Sequence, residues 1–220
     1  MTQSGDTLKQ AAACLSRILG ENGIEHAFIG GFALRMLGHD RDTEDIDVEI
    51  GVTDPQEMRS LVTRVLCDAD SRFVTSNLKL FFVPDGNWEL RLPVETLALG
   101  ALNLPRQLPV IRPGDGSVPV LLPGVLILTK IKRATQYIGS TRPRSIAKLG
   151  FDVRDIIHLL HWLSDHEQKI DFAAYDTAYP DRLYKAVRQI REHWVETNQH
   201  GNIALLDRVL EDGDKTVIMD

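Results

Sequence analysis

Two short stretches decide how the first half of this chain folds: residues 29–34, Ile-Gly-Gly-Phe-Ala-Leu, and residues 41–48, Arg-Asp-Thr-Glu-Asp-Ile-Asp-Val. The first ends an apolar run and carries the one Gly-Gly pair of the sequence. It predicts a buried strand that turns at Gly30 and Gly31 into a short helix. The second alternates apolar and acidic residues, which predicts a strand with one acidic face.

The acidic strand has the right chemistry for a metal–phosphate site. Asp45 and Asp47 are two residues apart, so both carboxylates point to one side of the strand. Such hard oxygen donors are what Mg²⁺ prefers when it also binds phosphate oxygens. Other acid-x-acid pairs occur, Asp40/Asp42 among them, so the pair alone is equally consistent with a solvated strand face. Its context is what favours a site.

The context consists of the Gly-Gly turn and two polar neighbours. Thirteen residues separate Gly31 from Asp45. Backbone N–H groups exposed at such a turn can bind phosphate oxygens. Arg41 and Thr43 add a cation and a hydroxyl beside the acidic strand. The conjunction is more specific than either half.

Together the two stretches resemble the signature of the polymerase-β-like nucleotidyltransferases, in which an apolar residue and Gly-Gly or Gly-Ser precede an Asp-x-Asp strand. The Arg-x-Thr-x-Asp-x-Asp form is similar to the branch that contains the abortive-infection nucleotidyltransferase toxins and related uncharacterised bacterial and fungal proteins. The likeness covers about residues 28–160, and its strong matches lie at residues 29–48. It implies transfer of a nucleoside monophosphate from a triphosphate such as ATP to a hydroxyl, with release of pyrophosphate.

The resemblance also implies a two-metal site. Its ligands would be Asp45, Asp47 and Glu95, which would hold Mg²⁺, with Mn²⁺ as a substitute. Residues 91–97 resemble the segment that supplies the third carboxylate in this superfamily, where aspartate is commoner than glutamate. Pro93 is a departure, because proline disfavours a central strand.

The nucleotide-binding residues implied by the resemblance and by charge are Gly30, Gly31, Arg41, Thr43, Lys130, Arg142 and Lys148. Residues 126–132 resemble the family's Leu-rich helix, whose lysine contacts the nucleotide. Because Lys130 and Lys132 cannot share a helix face, at most one of them points into the site, and we favour Lys130. Residues 148–156 are similar to the family's Lys-x-x-x-Asp-x-x-Asp helix. No acid lies between Asp115 and Asp152, so this cationic stretch suits a triphosphate or nucleic acid, with a solvated basic loop as the alternative.

The periodicities predict an α+β fold, with a mixed nucleotidyltransferase-type β-sheet lobe over residues 1–122 and a helical lobe over residues 123–220. Apolar residues at 78–83 and 88–94 flank Pro-Asp-Gly-Asn, which predicts a hairpin. Five prolines between residues 105 and 123 predict loops and short edge strands. Beyond residue 124 the apolar spacing is helical.

Composition limits the class of protein. The 220 residues carry a formal net charge of -6, which disfavours a dedicated DNA-binding protein. Two cysteines are too few for a zinc cage or a disulfide framework and suit a reducing compartment. Because no apolar run reaches membrane-spanning length and the first residues carry no signal-peptide pattern, we expect a cytoplasmic protein without a membrane partner.

Several points stay open at this level. The nucleoside triphosphate is the expected partner, while the acceptor is an RNA end, a protein hydroxyl or a small molecule. A catalytically silent nucleotide-binding or regulatory protein on the same fold is the main alternative. An RNA- or protein-binding module with incidental acids is a second one. The preferred nucleotide and the oligomeric state are not determined by these patterns.

Overall fold

The computed structural model of the protein describes residues 3–219. The chain forms two compact units, Met1–Leu121 and Leu122–Asp220. The first contains a mixed β-sheet with helices, and the second is helical. The predicted α+β fold class is therefore confirmed.

The described part of the chain contains eight α-helices. They are α1 (Gln3–Glu21), α2 (Gly30–Met36), α3 (Pro55–Ala69), α4 (Pro123–Thr135), α5 (Pro143–Asp165), α6 (Pro180–Glu196), α7 (His200–Val209) and α8 (Asp212–Met219). The start of α3 follows directly from its sequence, since the Asp54 carboxylate accepts hydrogen bonds from the backbone N–H groups of Gln56 and Glu57. This cap and Pro55 in the first turn end the preceding extended segment.

The described residues also form seven strands. They are β1 (His26–Ile29), β2 (Ile46–Ile50), β3 (Phe73–Ser76), β4 (Lys79–Phe82), β5 (Leu92–Ala98), β6 (Val110–Ile111) and β7 (Val120–Leu121). All belong to one sheet with the order β3-β4-β5-β2-β1-β7-β6. The central strand β2 is antiparallel to β1 and parallel to β5.

The sheet buries the apolar face of its central strands. Ile46, Val48 and Ile50 are fully buried along β2, as the period-two alternation predicts. Helix α3 packs against β3 and β5, and α1 packs against α3. The opposite face of β2 carries Asp47 and Glu49. The apolar side chains of β2 therefore fix the strand to the core, and its acidic side chains lie on the other face.

The prediction of a strand at residues 88–94 is wrong in position, because the strand lies at Leu92–Ala98. Residues 88–90 form a 3₁₀ turn, in which the Asn87 side chain accepts a hydrogen bond from the Glu89 N–H. Trp88 and Leu90 are 47% and 52% exposed, so they form no buried face. The antiparallel pairing with β4 exists, but it joins residues 80–82 to residues 92–94. The strand then continues to Ala98.

Pro93 is compatible with a central strand because of where it lies. The pairing of β5 with β2 begins at Val94, opposite Ile46. At Pro93 the sheet continues on the β4 side, opposite Phe81. The missing N–H of Pro93 thus falls just before the second ladder starts.

The second unit is built on contacts of α4 with α5 and α6, and of α7 with α5 and α6. The helical spacing predicted beyond residue 124 agrees with the five helices α4 to α8. Within residues 3–219, no helix is long and apolar enough to cross a bilayer.

Candidate active site

The Gly-Gly turn brings helix α2 against the acidic strand. Gly30 follows β1 with φ +67°, a left-handed conformation that glycine adopts without steric cost. A Cβ atom on Gly30 would lie 1.8 Å from Oδ2 of Asp47. A Cβ atom on Gly31 would lie 2.6 Å from Oγ1 of Thr43. Both glycines therefore serve close packing: they allow Asp47 and Thr43 to approach the backbone.

Thr43 orients the first aspartate of the pair. The Thr43 side chain is buried, and its hydroxyl donates a hydrogen bond to Oδ1 of Asp45 over 3.1 Å. Asp45 stands immediately before β2, and Asp47 is its second residue. Arg41 lies beside the same turn, with Nη2 3.4 Å from the Cβ position of Gly31. Arg41 and Asp47 thus lie close to the start of α2, and Asp45 is linked to it through Thr43.

Glu95 lies on the strand next to this pair. In the parallel ladder between β2 and β5, Glu95 is the Cα partner of Asp47. Residues in direct register point to the same face of a sheet. Asp47 is half-buried and Glu95 is exposed, so the carboxylates form the solvent-facing side of two adjacent strands. Glu95 is in the middle of β5, whereas a strand ending at Val94 would place it at the end.

The donor set suits a hard divalent cation. Asp47 and Glu95 are in direct register on adjacent strands, Asp45 comes just before β2, and Gly30 leaves the space in which the Asp47 carboxylate sits. Within residues 3–219, however, no three side chains of His, Cys, Asp or Glu lie close enough together to hold a metal ion. The metal and phosphate contacts of these residues stay predictions.

Glu49 is a buried acid that the sequence patterns did not single out. It is fully buried on the same face as Asp47, and its Oε1 accepts a hydrogen bond from the backbone N–H of Gly100 over 3.1 Å. This bond joins β2 to the turn that follows β5, so Glu49 helps to hold the two strands in register. Its position in the period-two alternation, two residues after Asp47, is the sequence feature that could have identified it.

Lys130 lies in the helical unit, where its surroundings differ from those expected. Its side chain is 3% exposed, and Nζ is 2.8 Å from Oδ2 of Asp155. Burial lowers the pKa of Lys130, and the Asp155 carboxylate opposes that shift. One turn further on, Arg133 pairs with Asp152, which raises the pKa of the guanidinium. A nucleotide contact of Lys130 stays a prediction, and it would compete with this buried pair.

The other cations of the helical unit are more accessible. Lys132 points away from Lys130 and donates a hydrogen bond to the Tyr175 hydroxyl over 3.0 Å, as expected for two residues that do not share a helix face. Arg142 is the N-cap residue of α5 and is exposed. Lys148 is exposed and lies over the ring of Tyr137. Their contacts with a triphosphate stay predictions.

Comparison with known proteins bears on the fold. No protein-family model matches the chain, and no curated protein matches its sequence. Among solved structures, it is similar to the crystal structure of an antigenic nucleotidyltransferase-like protein from Paracoccidioides brasiliensis, with a TM-score of 0.68 and 19% sequence identity over 98% of each chain. The fold is nucleotidyltransferase-like. This likeness supports the expected fold, and nothing in these comparisons supports the abortive-infection branch.

Proposed function

We propose that this protein is a metal-dependent nucleotidyltransferase that transfers a nucleoside monophosphate from a triphosphate to a hydroxyl acceptor. The observation that carries the proposal is the register of the sheet. Asp47 packs against the Gly30 backbone and stands directly opposite Glu95, and Asp45 precedes Asp47 by two residues. The nucleotidyltransferase-like fold of the solved neighbour supports it.

Each group of residues would have its own role in the proposed reaction. Asp45, Asp47 and Glu95 would hold Mg²⁺ or Mn²⁺, which when bound would neutralise triphosphate charge and make the acceptor hydroxyl more acidic. The Thr43 hydroxyl, which donates a hydrogen bond to Oδ1 of Asp45, would restrict the orientation of that carboxylate. Arg41 and the N–H groups of Gly30 and Gly31 would bind phosphate oxygens.

The reaction exchanges one phosphorus–oxygen bond for another. The acceptor oxygen bonds to the α-phosphorus while the bond from that phosphorus to the αβ-bridging oxygen breaks. Pyrophosphate leaves with the electron pair, and the hydroxyl proton passes to water. The exposed Arg142 and Lys148 and the buried Lys130 are the candidate cations for stabilising the triphosphate charge.

Nucleotide binding is tested first. We expect each bound triphosphate to raise the melting temperature with Mg²⁺ or Mn²⁺, and to do so much less with EDTA. The double variant Asp45→Asn/Asp47→Asn should lose this shift while its apo form unfolds no more easily, because two repelling charges are removed. If no ribonucleotide or deoxyribonucleotide gives a metal-dependent shift, the proposal is wrong.

Transfer is tested next, with labelled triphosphates and separated RNA, protein and small-molecule fractions. Glu95→Gln should leave the metal-dependent shift nearly intact and lower turnover about a hundredfold, or about 3 kcal/mol in the barrier. Glu89→Gln, on the exposed 3₁₀ turn, is the matched control. Binding without any labelled product would instead support the catalytically silent nucleotide-binding protein.

A further inference from the structure

A cavity of about 630 Å³ opens beside Glu95 in the first unit. Its walls are α3, the β3–β4 hairpin and residues 93–97 of β5. The pairing of β4 with β5 stops at Leu80 opposite Val94. From Glu95 to Leu97, β5 therefore has β2 on one side and the cavity on the other. The volume lies within the range of roughly 300–1,000 Å³ typical of small-molecule sites.

The charge of the cavity is mainly positive. Arg59, Arg64 and Lys79 line it, all three with exposed side chains. Glu95 is the acid among the lining residues. In the part of the chain that the structure describes, none of the three cations forms an ion pair. Such a surface attracts anions and repels a cationic acceptor such as an aminoglycoside.

The rim of the cavity carries a strained residue. Ser76 pairs with Lys79 across the hairpin, so Asn77 and Leu78 form a two-residue turn. Their φ angles are +50° and +64°. Asparagine tolerates this left-handed conformation, but for leucine it costs about 1 kcal/mol or more, and glycine is the usual residue in such turns.

Leu78 gains no compensating burial for that strain. Its side chain is 89% exposed at the mouth of the cavity. Backbone strain that the fold does not need is a sign of a binding role. An apolar side chain held out at the rim can pack against the uncharged part of a bound molecule.

We infer that this cavity binds the acceptor of the proposed transfer, and that the acceptor is a phosphorylated molecule. The inference rests on the proposed function. Arg59, Arg64 and Lys79 bind the phosphate of the acceptor, and Leu78 contacts its apolar body. Because Glu95 lines the cavity and stands opposite Asp47, the reactive hydroxyl lies next to the carboxylates. Phosphorylated acceptors include nucleic-acid ends and small phosphorylated metabolites.

The charge test uses the 220-residue chain and labelled triphosphate, with total RNA, a deproteinised small-molecule extract and a protein fraction as acceptors. The variant Arg59→Gln/Arg64→Gln/Lys79→Gln should lower labelling of RNA or of phosphorylated small molecules roughly tenfold or more, with a flatter salt dependence. Its metal-dependent triphosphate shift should be unchanged. The control, Lys9→Gln/Arg17→Gln/Arg106→Gln, removes the same charge from residues that do not line the cavity.

The strain test uses Leu78→Gly. Glycine fits φ +64°, so the melting temperature should stay the same or rise, while KM for the labelled acceptor should rise several-fold at nearly unchanged kcat. A purely structural role would instead lower the melting temperature.

The outcomes separate the two proposals. If the wild-type protein shows no metal-dependent triphosphate binding, the proposed function itself is refuted. If that binding is present but no fraction is labelled, the proposed transfer is refuted. If a fraction is labelled, two results overturn the acceptor site: label on protein or on an unphosphorylated small molecule, or full labelling by both the triple charge variant and Leu78→Gly. RNA label and small-molecule label distinguish the two sources of phosphorylated acceptor.

Discussion

Gly30 shows how one residue can determine whether the site forms. It combines a positive φ with a side of its Cα atom that is already occupied by the Asp47 carboxylate. At Gly31 the position of a Cβ atom is likewise occupied, here by the Thr43 side chain. Thr43 in turn donates a hydrogen bond to Asp45. The two glycines and the two aspartates are thus one packing unit. We expect a side chain at Gly30 to displace the Asp47 carboxylate, and one at Gly31 to displace Thr43 and with it Asp45.

Gly30→Ala tests this unit directly. The methyl group would add left-handed strain and a steric clash with Asp47, so we expect the free energy of unfolding to fall by about 2 kcal/mol or more. Nucleotidyl transfer should fall with it. Urea titration at constant temperature measures the loss.

The matched control for that change is Gly20→Ala. Gly20 lies inside α1, and a Cβ atom there would meet nothing within 4 Å. The free energy of unfolding of the Gly20→Ala variant should be unchanged or higher by about 0.5–1 kcal/mol, which is the difference in helix propensity between glycine and alanine. Equal effects at both positions would contradict the packing role of Gly30.

At the scale of elements, α4 and α5 are joined by two ion pairs in register. Lys130 and Arg133 lie three residues apart on α4, and their partners Asp155 and Asp152 lie three apart on α5. Residues at this spacing share a helix face. Both carboxylates are buried, so these pairs determine how the two helices can slide and rotate against each other.

Breaking the Lys130–Asp155 ion pair should destabilise the protein. Asp155→Asn would leave the buried Lys130 ammonium without its carboxylate, and we expect a loss of about 3 kcal/mol in the free energy of unfolding. Asp207→Asn removes the partner of Arg191 in a half-exposed pair, where the loss should stay below about 1 kcal/mol. Similar small losses at both positions would mean that the charge of Lys130 is stabilised by other groups.

At the scale of the whole molecule, charge is unevenly distributed. The chain is acidic, with a formal net charge of -6, yet residues 116–151 contain six cations and no acid. Arg142, Arg144 and Lys148 lie at the start of α5 and are exposed. A local cationic surface on an acidic protein favours a specific anion over general nucleic-acid binding.

Replacing Arg142, Arg144 and Lys148 together with Gln should weaken binding of the triphosphate or of the labelled acceptor. The dependence of that binding on salt concentration should become flatter, because fewer phosphate charges are neutralised. Titrations across a salt series measure both effects. The variant that replaces Lys9, Arg17 and Arg106 removes the same charge elsewhere, and identical behaviour of the two variants would favour a solvated basic loop.

Local patterns were sufficient for much of this protein. The apolar alternation around Asp45 and Asp47, the turn at Gly30 and the cap at Asp54 depend on residues within a few positions of one another. Each was predictable because strand alternation and helix capping are short-range effects. The α+β class and the helical second half followed from the same kind of information.

Tertiary structure decided the rest, because pairing partners and burial depend on distant residues. The shift of β5 to Leu92–Ala98, its parallel register with β2 and the resulting position of Glu95 opposite Asp47 come from ladders between strands far apart in sequence. A strand's preference depends strongly on its neighbours. Whether Lys130 is free or paired, and whether Arg59 and Lys79 share a cavity, was likewise determined only when the helices and the hairpin packed.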